Sequence, residues 1–160
     1  MKKIETELLR KLIAYDPETG EITYRTGFRA GSRPISVKHG YLLVNIESTE
    51  FLAHRLAWQY MTGEAPPMIL DHKNGNTLDN RWENIRNAKS TENAWNARKS
   101  KNNTSGYKGV SLCKTTNRWR ASIAHNGKRI QIGRFDTKEE AARAYAQMAI
   151  ELHGEFSRVE

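Results

Sequence analysis

The chain alternates between two kinds of apolar spacing, and the alternation predicts its elements. Residues 4–14 place Ile4, Leu8, Leu9, Leu12 and Ile13 on one stripe, which predicts a helix. Asp16-Pro17-Glu18-Thr19-Gly20 predicts a turn. Residues 21–25 alternate as an exposed strand, and the polar stretch from Gly27 to Gly40 predicts a loop. Tyr41–Ile46 has the apolar density of a buried strand, and Phe51–Met61 that of an amphipathic helix entered from a short strand. Pro66-Pro67 must break that helix. Met68-Ile69-Leu70 is a short apolar strand that runs straight into Asp71-His72, after which Asn74-Gly75 predicts a chain reversal.

A polar segment leads on to Ile85-Arg86. Ser90 is placed as a helix N-cap with Glu92 in the first turn, opening a helix from about Thr91 to Arg98. The polar and basic run Lys99–Gly106 then predicts a linker. Beyond it the period changes. Residues 107–110, 119–124 and 128–133 predict three short strands, with turns at Thr116-Asn117 and Asn126-Gly127. Thr137-Lys138-Glu139-Glu140 fits a capping box, and the helix after it shows a face of small apolar residues suited to packing on a sheet. Trp58, Trp82 and Trp95 are assigned to the core.

Composition narrows the partners. The 160 residues, 38% of them apolar, suffice for one medium domain or two small ones. No apolar run approaches the ~20 residues of a membrane span, and the opening MKKIETELLRKLIAY lacks the uncharged core of a signal peptide, so the cytoplasm is the expected location. A single cysteine, Cys113, excludes an internal disulfide and any multi-cysteine zinc site. The formal charge of +8 points to a polyanion, because phosphate neutralisation releases counterions and favours any duplex.

Candidate chemistry gathers at Asp71-His72. Hydrolysing a phosphodiester requires an activated water, charge stabilisation at the phosphate and help for the leaving oxygen. A neutral histidine does the first. A hard cation with oxygen ligands does the others. Asp71 and His72 supply a carboxylate and an imidazole side by side, and Asn93 on the following helix supplies an amide oxygen; Asn96, one turn further, is the alternative. Arg81, Arg86, Lys89, Arg98, Lys99 and Lys101 make the surroundings basic, with Arg98, Lys99 and Lys101 the expected phosphate contacts. His54 lies at an apolar helix start, where a structural role is expected.

The stretch DHKNGNTLDNRWENIRNAKSTEN (Asp71–Asn93), with HRLAW (His54–Trp58) upstream, resembles the HNH motif of phage and intron-borne homing endonucleases, in particular the zinc-less group. The resemblance covers about residues 41–100. It implies two strands and a helix around one metal ion, Mg²⁺ or Mn²⁺ and not zinc. It makes His72 the general base, Asn84 the residue that braces the loop holding the base, and Asp71 and Asn93 the metal ligands.

The stretch Ser105–Arg158, with YKGV, WRASI, IGRF and TKEEAARAY in order, resembles the plant Apetala and ethylene-response-factor DNA-binding domain. That resemblance implies a three-stranded sheet lying in the major groove. The exposed positions expected to read DNA include Lys108, Ser111, Cys113, Arg120, Ser122, Arg129, Gln131 and Arg134. Ser111, Leu112 and Cys113 stand where the plant pattern has arginines, and Gln131 where it has tryptophan, so the plant target sequence does not carry over.

The expected fold is α+β: a ββα-metal nuclease core plus a small three-stranded antiparallel sheet packed on one helix. The expected domains are residues 1–100 (motif core 68–98), a linker at 101–105 and a binding domain at 106–160. The expected function is metal-dependent cleavage of double-stranded DNA by a monomer or weak dimer, a single centre nicking one strand. The rival is a DNA-binding regulatory protein with an inactive nuclease half.

Overall fold

The structure, a computed structural model, describes residues 4–159. Met1–Lys3 and Glu160, included in the expected domain limits, lie outside them. The chain divides into two compact units, Met1–Ala88 and Lys89–Glu160. Among the described residues no helix is long and apolar enough to cross a membrane.

The first unit opens with α1 (Thr6–Leu12), shorter than expected. Its stripe continues through Ile13, yet Ile13 starts β1 (Ile13–Tyr15), which pairs antiparallel with β2 (Ile22–Tyr24). Pairing with β2 satisfies the strand's backbone while Ile13 stays fully buried, so tertiary pairing overrides the helical period. A second sheet has the order β3-β4-β5, from β3 (Ser36–Lys38), β4 (Tyr41–Ile46) and β5 (Thr49–Leu52). β3 falls within the segment expected to be a loop; every residue in it is exposed, so no apolar alternation announced it. Phe51 and Leu52 belong to β5, and α2 (Ala53–Thr62) begins after them, ending at Gly63 in the left-handed conformation that glycine adopts without strain. The core joins Leu9, Ile13, Ile22, Val44 and Leu56, each fully or nearly fully buried. Trp58 and Trp82 pack ring against ring beside it.

β6 (Leu70–His72) pairs antiparallel with β7 (Ile85–Asn87), and a 3-10 turn at Trp82–Asn84 leads into β7. The second unit begins with α3 (Ser90–Asn96), whose cap is Lys89, one residue before the expected Ser90. The Glu92 carboxylate accepts the Lys89 backbone N–H at 2.6 Å, which closes the first turn. α3 ends at Asn96, short of Arg98. The expected linker is cross-bonded: buried Ser105 donates to the Val110 carbonyl at 2.9 Å, and the Asn103 side chain accepts from Gly106 and donates to Tyr107.

Three strands follow, β8 (Val110–Cys113), β9 (Arg118–His125) and β10 (Lys128–Phe135), in the order β10-β9-β8 and antiparallel throughout. Residues 107–109 precede β8 and do not form the expected strand. α4 (Lys138–His153) starts at the expected capping box, with Thr137 and Glu140 bonded reciprocally. Its Ala141, Tyr145 and Ala149 pack with Val110, Ala121 and Ile123 of the sheet. Small residues allow that close approach, and Gly109 extends it, since a Cβ there would lie 2.2 Å from the Tyr145 ring.

Candidate active site

The geometry around Asp71-His72 follows from strand register. Asp71 stands directly opposite Arg86 across β6 and β7. Residues opposite each other share one face of a sheet, so the two side chains meet: Arg86 Nε and Nη2 donate to Asp71 Oδ2 at 2.9 and 2.7 Å, both side chains buried. Arg86, expected among the basic residues of the surroundings, is therefore an interior partner of the carboxylate.

His72 alternates to the other face and is 3% exposed. Its Nε2 lies 3.4 Å from Asn80 Oδ1. The rings of His54 and Tyr41 pack on it, at centroid distances of 5.0 and 6.1 Å. Burial holds the His72 pKa below the ordinary histidine range, against the raising effects of Asn80, Asp71 and Asp79. Burial drives His54 down further, to about 3, with the neighbouring charges of His72 and Arg55 adding to it. Burial therefore favours the neutral form of both rings.

The segment from Lys73 to Asn84 closes over this centre as a cross-braced loop. Buried Asn84 accepts from the Asn74 backbone N–H at 3.0 Å through its side-chain oxygen, donates to the Asp79 carbonyl at 2.7 Å, and accepts from the Lys73 N–H at 2.9 Å through its own carbonyl. Asp79 binds the Arg81 guanidinium and the Asn74 amide, and these hydrogen bonds lower its pKa to about 2. The β1–β2 hairpin supports the loop from below. Tyr15 donates its hydroxyl to the Asn80 carbonyl at 2.8 Å, and Trp82 N–H donates to the Pro17 carbonyl. Gly20, at φ +74°, presses on the same backbone; a Cβ there would lie 2.5 Å from Arg81 N. Tyr15 and Tyr41 join the site from distant segments and so are not revealed by the motif pattern, whereas Asn80 lies within it.

Asn93 is exposed on α3 and Asn96 is buried; both belong to the second unit. Trp95, expected in the core, stacks flat on His153 of α4 (centroids 4.2 Å apart, 5° between planes) and on His125 at 5.2 Å. Lys108 departs from its expected place on the reading face. Its ammonium donates to the Trp95 and Ala97 carbonyls at 2.5 and 2.7 Å, capping the carboxyl end of α3, and burial lowers its pKa to about 8. Lys99 donates to the Gly106 carbonyl, while Arg98 and Lys101 are exposed.

Register also sorts the three-stranded sheet. Ala121 and Ile123 point into the core, so their alternates Arg120 and Ser122 face outward. The pairs Ser111↔Arg120, Gln131↔Ser122, Arg129↔Ala124 and Arg134↔Arg120 carry Ser111, Arg129, Gln131 and Arg134 to that outer face. Cys113, opposite Arg118, joins them.

The depressed His54 pKa predicts that the first unit loses stability in acid. A group whose folded pKa is depressed stabilises the fold above its unfolded pKa, and that stability is lost as pH falls. For His54 the loss runs from about pH 6.5 down to about 3. His54→Phe is expected to flatten the decline of unfolding free energy below pH 6 by up to about 1.4 kcal/mol per pH unit, one proton's worth. Urea unfolding at several pH values, followed by tryptophan fluorescence, checks this; parallel curves for the two proteins would refute it.

Residues 51–95 match the family described as HNH endonuclease, and residues 105–155 match the AP2 domain. A protein of Escherichia phage T7, Protein 3.8, is 37% identical over 106 residues, covering 66% of this chain and 87% of its own length. An uncharacterized HNH endonuclease of Acanthamoeba polyphaga mimivirus is 34% identical over 122 residues, covering 75% of this chain and 62% of its own length. The APETALA2-like protein 2 of Oryza sativa subsp. indica is 43% identical over 51 residues, 32% of this chain and 12% of its own. No solved structure gives a significant match. The chain belongs to one family with Protein 3.8, and carries an HNH endonuclease domain followed by an AP2 domain.

Proposed function

We propose that the chain is a metal-dependent DNA endonuclease of the homing type, with His72 as general base, Asn84 as the brace of its loop, and Asp71 and Asn93 as metal ligands. The observation that carries this reading is the buried imidazole of His72, one residue from a buried carboxylate and inside the segment matching the HNH family, where burial favours its neutral form. A base must be unprotonated at working pH and held in place. Burial serves the first need. The amide oxygen of Asn80 beside Nε2 serves the second, favouring the tautomer with its proton on Nε2 and making Nδ1 the basic nitrogen. Water then gives its proton to His72 as its oxygen attacks phosphorus, and the bond from phosphorus to the leaving oxygen breaks.

The donor set suits a hard divalent cation. A carboxylate from Asp71 and an amide oxygen from Asn93 (or Asn96) are ligands that Mg²⁺ or Mn²⁺ prefers, and the lone Cys113 gives no thiolate set for zinc. When bound, such an ion supplies charge stabilisation at the phosphate and the leaving oxygen. The outward face bearing Arg120, Arg129, Gln131 and Arg134 is the duplex-reading surface, with Arg98, Lys99 and Lys101 as phosphate contacts ahead of it. Tethering the two parts raises the local concentration of the cutter at bound DNA. A monomer nicks; a weak dimer breaks both strands. The similarity to a phage protein supports a site of action in the cytoplasm of a bacterial host.

One observation favours a second reading, a DNA-binding regulator with an inactive nuclease half: Asp71 already carries an ion pair with Arg86. Metal dependence separates the two. Supercoiled plasmid is expected to relax in millimolar Mg²⁺ or Mn²⁺, to stay supercoiled in excess EDTA, and to relax again when the metal is restored. Retention of DNA in a gel without relaxation under any divalent ion would favour the regulator.

A further inference from the structure

Residues 25–40, RTGFRAGSRPISVKHG, contain Arg25, Arg29, Arg33 and Lys38 and no acidic residue. All are exposed except Pro34, which is half-buried, and the exposed set includes Phe28 at 96% and Ile35 at 91%. Two large apolar side chains so bare to water add nothing to the core. The segment nevertheless has a defined shape. Gly31 N–H donates to the Tyr24 carbonyl, Tyr24 N–H donates to the Ser32 carbonyl, and the Ser32 hydroxyl donates to the Arg29 carbonyl at 2.6 Å. The Arg29 guanidinium lies 5.8 Å from the Tyr24 ring centroid and 5.6 Å from that of Phe28.

The far end of the segment is tied to the site. Thr77, in the loop after His72, donates its hydroxyl to the Gly40 carbonyl at 2.6 Å, and the next residue, Tyr41, packs on the rings of His54 and His72. The exposed basic stretch therefore leads directly to the proposed base, within the same unit. Lys38 and Arg33 hold exposed pairs with Glu50 and Glu21. Exposed pairs are weak, and a phosphate readily replaces the carboxylate.

We infer that residues 25–40 form a second duplex-DNA contact, with Arg25, Arg29, Arg33 and Lys38 on phosphates and Phe28 and Ile35 pressed between or against base steps. Charge complementarity selects the occupant: four cations and no acid attract a polyanion, and apolar side chains flanked by arginines match the way groove-binding proteins wedge a duplex. This contact rests on the reading that the chain handles duplex DNA, and extends it from the AP2 domain to the amino-terminal unit.

The test is equilibrium binding of the full chain to a fluorescently labelled duplex of about 30 base pairs, in EDTA so that no cleavage occurs, over a range of NaCl. Arg29→Ser/Lys38→Ser is expected to lower the slope of log K against log salt by about 1.8, at ~0.9 per lost phosphate contact. Phe28→Ala is expected to weaken binding roughly tenfold at fixed salt without changing the slope, the loss typical of cutting one base-contacting aromatic. Circular dichroism confirms that each variant folds. Wild-type affinity and slope in both variants would overturn the inference. So would equal losses on single-stranded DNA, or wild-type self-association that the variants abolish, which would assign the surface to a second copy of the chain. Because no cleavage is read, an inactive nuclease leaves this result interpretable.

Discussion

Replacing Arg86 with methionine is expected to cost the first unit about 3–5 kcal/mol of stability, enough to unfold a marginal domain. The reason is the geometry of β6 and β7. Register places Arg86 opposite Asp71, the guanidinium donates twice to Oδ2, and both side chains are buried. Removing the guanidinium takes from a buried carboxylate the cation that donates to it twice. The loss comes from isolating one charge, not from the pair's net worth. The double variant Arg86→Met/Asp71→Leu, which removes both charges, is therefore expected to recover most of the lost stability. It is expected to recover no cleavage, since Asp71 is a proposed metal ligand. Chemical denaturation of the three proteins with plasmid cleavage in parallel checks this. A double variant as unstable as the single one would show that the pair is not a simple charge-compensation device.

His72→Ala is expected to lower cleavage by roughly 10²–10⁴-fold, the usual contribution of a positioned general base. Retention of duplex DNA is expected to stay at wild-type strength, because the proposed contacts lie on the outer face of the β8–β10 sheet and on residues 25–40. Truncating a buried ring also opens a cavity beside His54 and Tyr41. His72→Asn fills more of that space and still cannot take a proton near neutral pH. Equal loss of activity in both variants, with binding intact, assigns the defect to the missing base and not to unfolding.

Most of this architecture was legible in the sequence where local signals are strong. The Thr137–Glu140 capping box, the alternation in β9 and β10 and the Asn74-Gly75 turn each act over a few residues, and each lies where expected. Alternation carries the outer face through Arg120, Ser122, Arg129 and Gln131, but Arg134 shares it only because the register shifts between Gln131 and Gly133. What failed depended on distant partners. Ile13 extends a helical stripe but pairs with β2. β3 is exposed on all its residues, so no apolar period marks it. Lys108 looked like a surface cation and caps α3 instead. Arg86 looked like part of a basic surround, yet 15 positions of chain separate it from the carboxylate it neutralises. Around His72 the motif implied a base and a bracing Asn84, but not the Asn80 contact within the same stretch, the packed rings of Tyr41 and His54, or the Tyr15 hydroxyl that holds Asn80.

The central claim is that His72 is the base of a DNA-cutting centre. Its most direct test is plasmid relaxation by wild type and His72→Asn in Mg²⁺ at pH 7.5, with gel retention measured on the same preparations. Relaxed circles from wild type only, with equal retention by both proteins, is the predicted result. Equal relaxation by both would contradict the claim.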